Sequence, residues 1–341
     1  MDGTDSFFKV MKVTMKDIAA ETGFTINTVS RALKDKDDIS EPTRKLIKET
    51  AKRLGYISNS IAGALRSGTT KSFAVILGDI SNPHFSIVVK EIESAARKHG
   101  YSTFIINTEE NSGLEYEAIC SALGKKVDGI IICPTQKSKE NIEFLKKTGI
   151  PFVLIGRYFK EIATDYVVCN DVNGGYQATM HLIEKGHKRI LMLNGPSYIS
   201  SAAERHEGYK KALGDSGIEY DKALVHEMSI TAGESKRVVR KILDENIKFS
   251  AVFAFSDMIA WETIHVLHKC GMKVPQDVAV IGFDNIQSKL SFPSPLTSIS
   301  TSKSKMSRKA VDILLKRINN KNGTGVINAV IDTKVIPRES T

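Results

Sequence analysis

Tryptophan occurs once in this chain, at Trp261, and cysteine four times, at Cys120, Cys133, Cys169 and Cys270. No two cysteines have the C-x-x-C spacing of zinc ribbons or redox motifs. Three lie in apolar runs or helical patterns, where a free thiol behaves as a small buried hydrophobe, and the pattern suits a reducing cytoplasm. No apolar run approaches the roughly 18–20 residues that cross a bilayer. The start, MDGTDSFFKVMK, lacks the basic segment and apolar core of a secretory signal. A cytoplasmic chain without a membrane partner is therefore expected. Nucleotide and hydrolase fingerprints, G-x-G-x-x-G and G-x-S-x-G, are missing. Residues 68–72, GTTKS, end like a phosphate loop without its G-x-x-x-x-G-K spacing and read as linker. His265 and His268 stand three apart near Cys270, but a metal needs a further well-placed ligand; they read as a helix-surface pair. With no nucleophile or acid–base pair in evidence, no catalytic residue, cofactor or metal is expected, and the protein reads as a non-enzyme.

What is there is ordinary in bulk and telling in order. The chain has 341 residues, 41% hydrophobic and 26% charged, enough for two or three cooperating units. The net charge of +9 favours an acidic partner such as nucleic acid without specifying one.

Residues 14–55 read as three short helices. In Thr14-Met15-Lys16-Asp17 a threonine N-cap precedes a carboxylate three residues on, a capping-box start, and Ile18 and Ala19 turn inward. Gly23 breaks the helix. Thr25 caps a second helix whose inward residues are Val29 and Leu33. Ser40-Glu41-Pro42 opens a third, with serine as N-cap and proline in the first turn; Leu46, Ile47, Thr50 and Leu54 carry its apolar face to Gly55. A helix-turn-helix needs a small residue at the helix crossing, a left-handed corner and an apolar anchor in the second helix. Ala19, Gly23 and Val29 supply them at the expected offsets. Ile26, Asn27, Ser30 and Arg31 are left outward, matching a thymine methyl, adenine, and guanine or phosphate. The bland alternative is a three-helix bundle with one polar helix. Residues 56–71, with one apolar turn at Ile61, Ala62 and Leu65, are too short for a core and form a connector.

From residue 72, β-rich runs alternate with helical ones: SFAVILGDI, STFIIN, VDGIIICP and FVLIG, then YVVCN, RILMLNG, SAVFAFS and VAVIGFDN. Runs apolar on both faces mark strands buried between helix layers, and the two series fit two doubly wound lobes. Ligands sit at the carboxyl ends of such strands. Ser81, Phe85, Arg157, Arg205 (in R-x-x-G-Y), Asp257 and Asp284 follow those ends; planar, carboxylate and aromatic groups suit a polyhydroxylated ligand. Arg205 could equally be a surface ion pair, Asp284 a turn former and Phe85 part of a core between lobes.

TMKDIAAETGFTINTVSRAL and ISEPTRKLIKETAKRLGYISN, followed by KSFAVILGDISNPHF, LIEKGHKRI, RHEGYKKAL, DVAVIGFDN and PLTSI, resemble the lactose-repressor/galactose-repressor (LacI/GalR) family of bacterial transcription regulators. The resemblance runs from about Val13 to the terminal PREST. It implies a small all-α helix-turn-helix headpiece and an α/β, periplasmic-binding-protein-like effector domain of two doubly wound parallel-sheet lobes. The expected divisions are 13–57 for the headpiece, 58–71 for a hinge helix and linker, and 72–341 for the effector domain. Within that domain the N-lobe takes about 72–169 plus 302–331, and the C-lobe about 170–298 plus 332–341.

The resemblance places Thr25, Ile26, Asn27, Ser30 and Arg31 on bases and phosphates, and Thr14, Met15, Ser40, Thr43, Tyr56 and Asn59 on the DNA backbone. It places Leu65, beside Ala62, where a leucine wedges into the minor groove, and Phe85, Arg157, Arg205, Ser256 and Asp284 around the effector, where Ser81 and Asp257 join them by their strand-end positions. Met228 stands where the family often has an aromatic. Ser58 replaces a common proline and Gly63 a common arginine, which predicts a weaker hinge helix. The function implied is a dimeric regulator, a repressor, that binds near-palindromic double-stranded operator DNA under control of a small molecule, a sugar or sugar derivative. No leucine heptad follows the last strand, so no coiled-coil tetramer is expected. A solute-binding protein of a transport system would share the two lobes, but it would need a signal peptide and have no use for a helix-turn-helix.

Overall fold

A computed structural model describes residues 13–57, 68–289, 295–320 and 325–341. The expected contacts at Asn59, Ala62 and Leu65, and the hinge helix with its Ser58 and Gly63 departures, lie outside the described residues. The chain divides into two units, Met1–Gly68 and Thr69–Thr341.

The first unit holds α1 (Met15–Thr22), α2 (Ile26–Ala32) and α3 (Glu41–Leu54). Asp17 Oδ2 accepts from Thr14 N at 2.7 Å and Thr14 Oγ1 at 2.8 Å, satisfying donors that the first turn leaves orphaned. Gly23 ends α1 at φ 74°, where a side chain would be strained. Thr25 Oγ1 accepts from Thr28 N at 3.1 Å and starts α2. Ile18, Val29, Ala32, Ile47 and Ala51 form the core, with Met15, Ala19, Leu33, Leu54 and Tyr56 packed around it. Two expectations are corrected. Leu46 is 47% exposed and Ala51 is buried, because Ile47, Thr50, Ala51 and Leu54 make the i, i+3, i+4, i+7 stripe of α3 and Leu46 falls one residue off it. Ser40 makes no side-chain cap; its Oγ donates to Thr43 Oγ1 at 2.9 Å.

The second unit contains two sheets. The first runs β11-β5-β4-β3-β1-β2 and is parallel throughout: β1 (Ser72–Leu77), β2 (Ser102–Asn107), β3 (Gly129–Ile132), β4 (Phe152–Ile155), β5 (Tyr166–Cys169) and β11 (Asn328–Ile331). Its helices are α4 (Pro83–Lys98), α5 (Ser112–Gly124), α6 (Glu140–Lys147) and α11 (Lys303–Asn319). The second runs β12-β10-β9-β8-β6-β7, with β6 (Ile190–Asn194), β7 (Val225–Glu227), β8 (Ala251–Ala254), β9 (Ala279–Asp284), β10 (Thr297–Thr301) and β12 (Thr333–Ile336). It is flanked by α7 (Asp171–Glu184), α8 (Ser200–Asp215), α9 (Glu234–Asp244) and α10 (Asp257–Lys269). Only its edge departs from parallel, where β12 runs antiparallel to β10.

Period-2 alternation explains the layering. Phe73, Val75 and Leu77 of β1 pack with α4 and α11, whereas Ala74 and Ile76 pack with α5 and α6. In the second sheet Leu191 and Leu193 face α9 and α10, and Ile190 and Met192 face α7 and α8. The chain passes between the sheets three times, from β5 to α7, from β10 to α11 and from β11 to β12, so each lobe is assembled from separate stretches.

Cys133 and Cys169 are buried, but Cys120 is only half-buried and Cys270 is exposed at the end of α10. The helical pattern that suggested burial places Cys270 at the helix C-cap, where the chain turns toward solvent. No helix among the described residues is long and apolar enough to cross a membrane, and no group of three or more His, Cys, Asp or Glu among them could hold a metal ion.

Candidate DNA-reading surface and effector cleft

In the first unit α2 buries Val29 and Ala32 and leaves Ile26 44% exposed, with Asn27 and Arg31 exposed and Ser30 half-buried. One helix face thus carries an aliphatic group, an amide, a hydroxyl and a guanidinium, the set that reads base edges. Arg31 Nε donates to Asp38 Oδ2 at 2.7 Å, so this guanidinium is parked on a carboxylate of the α2–α3 turn. Thr14 is exposed at the head of α1, next to half-buried Met15. Ser40, exposed, and Thr43, half-buried, flank the head of α3; Tyr56 is half-buried against the bundle core.

In the second unit a cavity of about 390 Å³ lies at the carboxyl ends of the strands of both lobes. Six of the seven residues expected at the effector line it: Ser81, Phe85, Arg157, Arg205, Ser256 and Asp284. Arg205 is the most heavily braced of them. It projects from α8, its Nε donates to Asp171 Oδ1 at 2.8 Å and its Nη1 to the Phe255 carbonyl at 2.5 Å. Its guanidinium lies 3.5 Å from the Phe283 ring centroid and 4.4 Å from that of Phe255, a stacked cation held between aromatic faces. The R-x-x-G-Y spacing has a packing cause. A Cβ on Gly208 would collide with the Val172 carbonyl, and one on Gly175 with the Arg205 backbone, so the glycines let α7 and α8 touch and bring Asp171 to Arg205. Tyr209 Oη donates to the Ile190 carbonyl at 2.9 Å and anchors that turn to β6.

Arg157 follows β4. Its Nη1 and Nη2 donate to Glu110 Oε2 and Oε1 at 2.8 and 2.9 Å, and Nη1 also to the Pro134 carbonyl at 3.0 Å, a bidentate fork. Asp284 ends β9 at φ 105°, a strained conformation for a non-glycine residue. Buried Lys303 donates to its carbonyl, and His84 Nδ1 from the other lobe lies 3.1 Å from its Oδ1. Burial works against the Asp284 charge, yet His84, Lys303 and Arg205 hold its carboxyl below the ordinary range. Burial pushes Asp171 up to about 6 despite the pull of Arg205.

Asp257 is the exception. It is fully buried and does not line the cavity. Its Oδ2 accepts from Ile286 N at 2.8 Å and its Oδ1 from Ser298 Oγ at 2.5 Å. It follows a strand end, but its oxygens turn back to fasten the loop after β9 to β10 itself, and burial pushes it up to about 7. Met228 is buried in the C-lobe core while Ile230 lines the cavity. Trp261 packs half-buried against the same core, although Met258 and Glu262 on either side of it reach the cavity. Sequence reasoning missed Glu110, Asp171 and His84, and also Gln136, which bridges the lobes by accepting from Ser200 N at 2.9 Å. Glu110, Gln136 and Asp171 follow β2, β3 and β5; inspecting every strand end would have found them.

A three-helix reading bundle joined in sequence to a two-lobed domain with a stacked arginine in its cleft defines a ligand-responsive DNA-binding regulator. Residues 14–59 match the family described as "Bacterial regulatory proteins, lacI family", and residues 70–339 match "Periplasmic binding proteins and sugar binding domain of LacI family". The chain belongs to the LacI family. It is 32% identical over 305 residues to the HTH-type transcriptional repressor PurR of Actinobacillus pleuropneumoniae serotype 3 (strain JL03), covering 89% of this chain and 91% of that protein. It is 32% identical over 335 residues to the HTH-type transcriptional regulator CelR of Thermobifida fusca, covering 96% and 98%. Among solved structures, a transcriptional regulator CelR–cellobiose complex superposes with a TM-score of 0.74 at 29% identity, covering 96% of this chain and 100% of that one.

Proposed function

We propose that the protein is a homodimeric repressor that binds near-palindromic double-stranded operator DNA through residues 13–57, relays through 58–71, and senses a small polyhydroxylated effector, a sugar or sugar derivative, with 72–341. It acts in the cytoplasm, beside the chromosome, and catalyses no reaction. The observation that carries this reading is Arg205. A guanidinium stacked on two aromatic rings, with a carboxylate fixing its plane, opens into a cleft lined by both lobes. That arrangement offers paired hydroxyls bidentate bonds and a sugar ring an apolar wall. The CelR–cellobiose complex supports a carbohydrate ligand for this domain type. A solute-binding role leaves the helix-turn-helix match at residues 14–59 without a purpose.

Self-association is supported by the edge of the first sheet. Among the described residues β2 has a neighbour on one side only, and Phe104 and Ile105 are 42% and 45% exposed on it, with Tyr116 47% exposed on α5. An apolar sheet edge of this kind invites a partner; two headpieces would then read two half-sites.

The test is operator binding by fluorescence anisotropy, with genomic fragments to select the operator, in the absence and presence of a sugar panel. One panel member is expected to change operator affinity, and Arg205→Ala to abolish that change while leaving effector-free binding within a factor of about two, as for a residue outside the DNA contact. Loss of both functions together would point to misfolding; an unchanged response would sink the assignment of Arg205.

A further inference from the structure

We propose that the cleft selects against anions: its effector is an uncharged or amine-bearing polyol, and phosphorylated or carboxylated sugars are rejected. The inference rests on the reading of the cleft as a polyol site.

Cations usually recruit phosphate, and this cleft has two arginines, but each arrives already neutralised. Arg205 is held by Asp171 and Arg157 is forked by Glu110. The Glu110 carboxylate is built in rather than incidental. It lies over Gly78, where a Cβ would collide with its Oε1. The turn that presents it puts Glu109 and Glu110 consecutively in the left-handed region, at φ 51° and 55°, a strained pairing that persists only where the surroundings impose it. The Glu109 amide donates to the Gly78 carbonyl at 2.6 Å and fixes that turn.

What remains is an excess of carboxylates. Six line the cavity (Asp79, Glu109, Glu110, Asp171, Glu262 and Asp284) against two guanidinium groups and His84, which faces Asp284. Among the described residues Asp79, Glu109 and Glu262 have no ion pair; Asp79 accepts from Ser81 N and Oγ at 2.8 and 2.7 Å, and Glu262 accepts from Gly233 N at 2.8 Å and from Ser235 Oγ. A lining of acceptors is satisfied by hydroxyl and ammonium donors. A phosphate or carboxylate brings only acceptors and like charge, which in a partly dehydrated cleft is repelled far more strongly than in water.

The test is calorimetric titration of the full-length protein with glucose, ribose and cellobiose, each beside its phosphate ester, and with glucosamine and glucuronate. Within every responding set the uncharged or amine-bearing member is expected to bind at least about tenfold tighter than the anionic one. A phosphate ester or glucuronate binding more tightly than its parent overturns the proposal while leaving the polyol reading standing; silence from every probe overturns both. Glu110→Gln frees the Arg157 charge without changing shape and is expected to narrow the neutral-to-anionic ratio about tenfold. Gly78→Ala, which evicts the same carboxylate sterically, is expected to move the ratio the same way. An unchanged ratio in both variants, with thermal unfolding intact, refutes pre-neutralisation as the cause of selectivity.

Discussion

At the scale of single residues, position along the chain and direction of the side chain are separate facts. Asp257 follows β8 and Asp284 ends β9, but Asp284 lines the cavity and Asp257 turns its oxygens to Ile286 and Ser298. Residue spacing cannot distinguish them, because the difference lies in which loop closes over the strand end. Burial raises Asp257 to about 7, above the value of about 3.9 of an unfolded chain. The folded state therefore keeps this proton after the unfolded state has lost it. Stability from Asp257 is greatest below pH about 4 and declines as pH rises through about 7. Asp171, raised to about 6, acts in the same direction. Between pH 5 and 8 the urea midpoint of the wild type is expected to fall more than that of Asp257→Asn; equal falls would remove Asp257 as the source. On the reading helix the outward residues were legible from helical periodicity, since Val29 fixes the opposite face, whereas the Arg31–Asp38 pair spans a turn and was not. Asn27→Ala is expected to lose about 1–3 kcal/mol of discrimination at one base pair, checked by binding to a library varied one position at a time. Uniform weakening on every sequence would make Asn27 a phosphate contact.

At the scale of elements, the three headpiece helices and the eight strands of the two series were legible, because buried parallel strands and amphipathic helices write different periods into the sequence; β7, β10 and α9 were not. The exceptions have local causes: Leu46 lies one residue off the buried stripe of its helix, and β2 carries apolar residues on an exposed edge. The crossing of α7 and α8 was not legible, since Gly174-Gly175 and Gly208 lie far apart in sequence and meet only in the fold. There the packing of two helices sets the position of the Arg205 backbone. Gly175→Ala is expected to cost about 1–3 kcal/mol by overpacking, measured by urea unfolding, and to weaken effector response without touching the ligand. Full response at reduced stability would show that the crossing does not position Arg205.

At the scale of the whole molecule, the lobes are joined by more than their three crossovers. Tyr158 Oη donates to Glu204 Oε1 at 2.6 Å, Ser200 meets Gln136, and His84 meets Asp284, each pair across the cleft. Removing the first of these with Tyr158→Phe is expected to cost about 1 kcal/mol, or about fivefold in the lobe-closure equilibrium. An effector titration of operator binding would show this as a shifted midpoint; an unmoved midpoint would mean the contact is no latch. The crossovers also govern how the protein is made. One sheet takes an edge strand, β11, from residues 328–331 and the other takes β12 from residues 333–336. A ribosome therefore releases a reading bundle with its own closed core long before either lobe can be finished. A message cut short before codon 328 yields chains that carry the operator-reading helices and two sheets with raw edges, prone to clump.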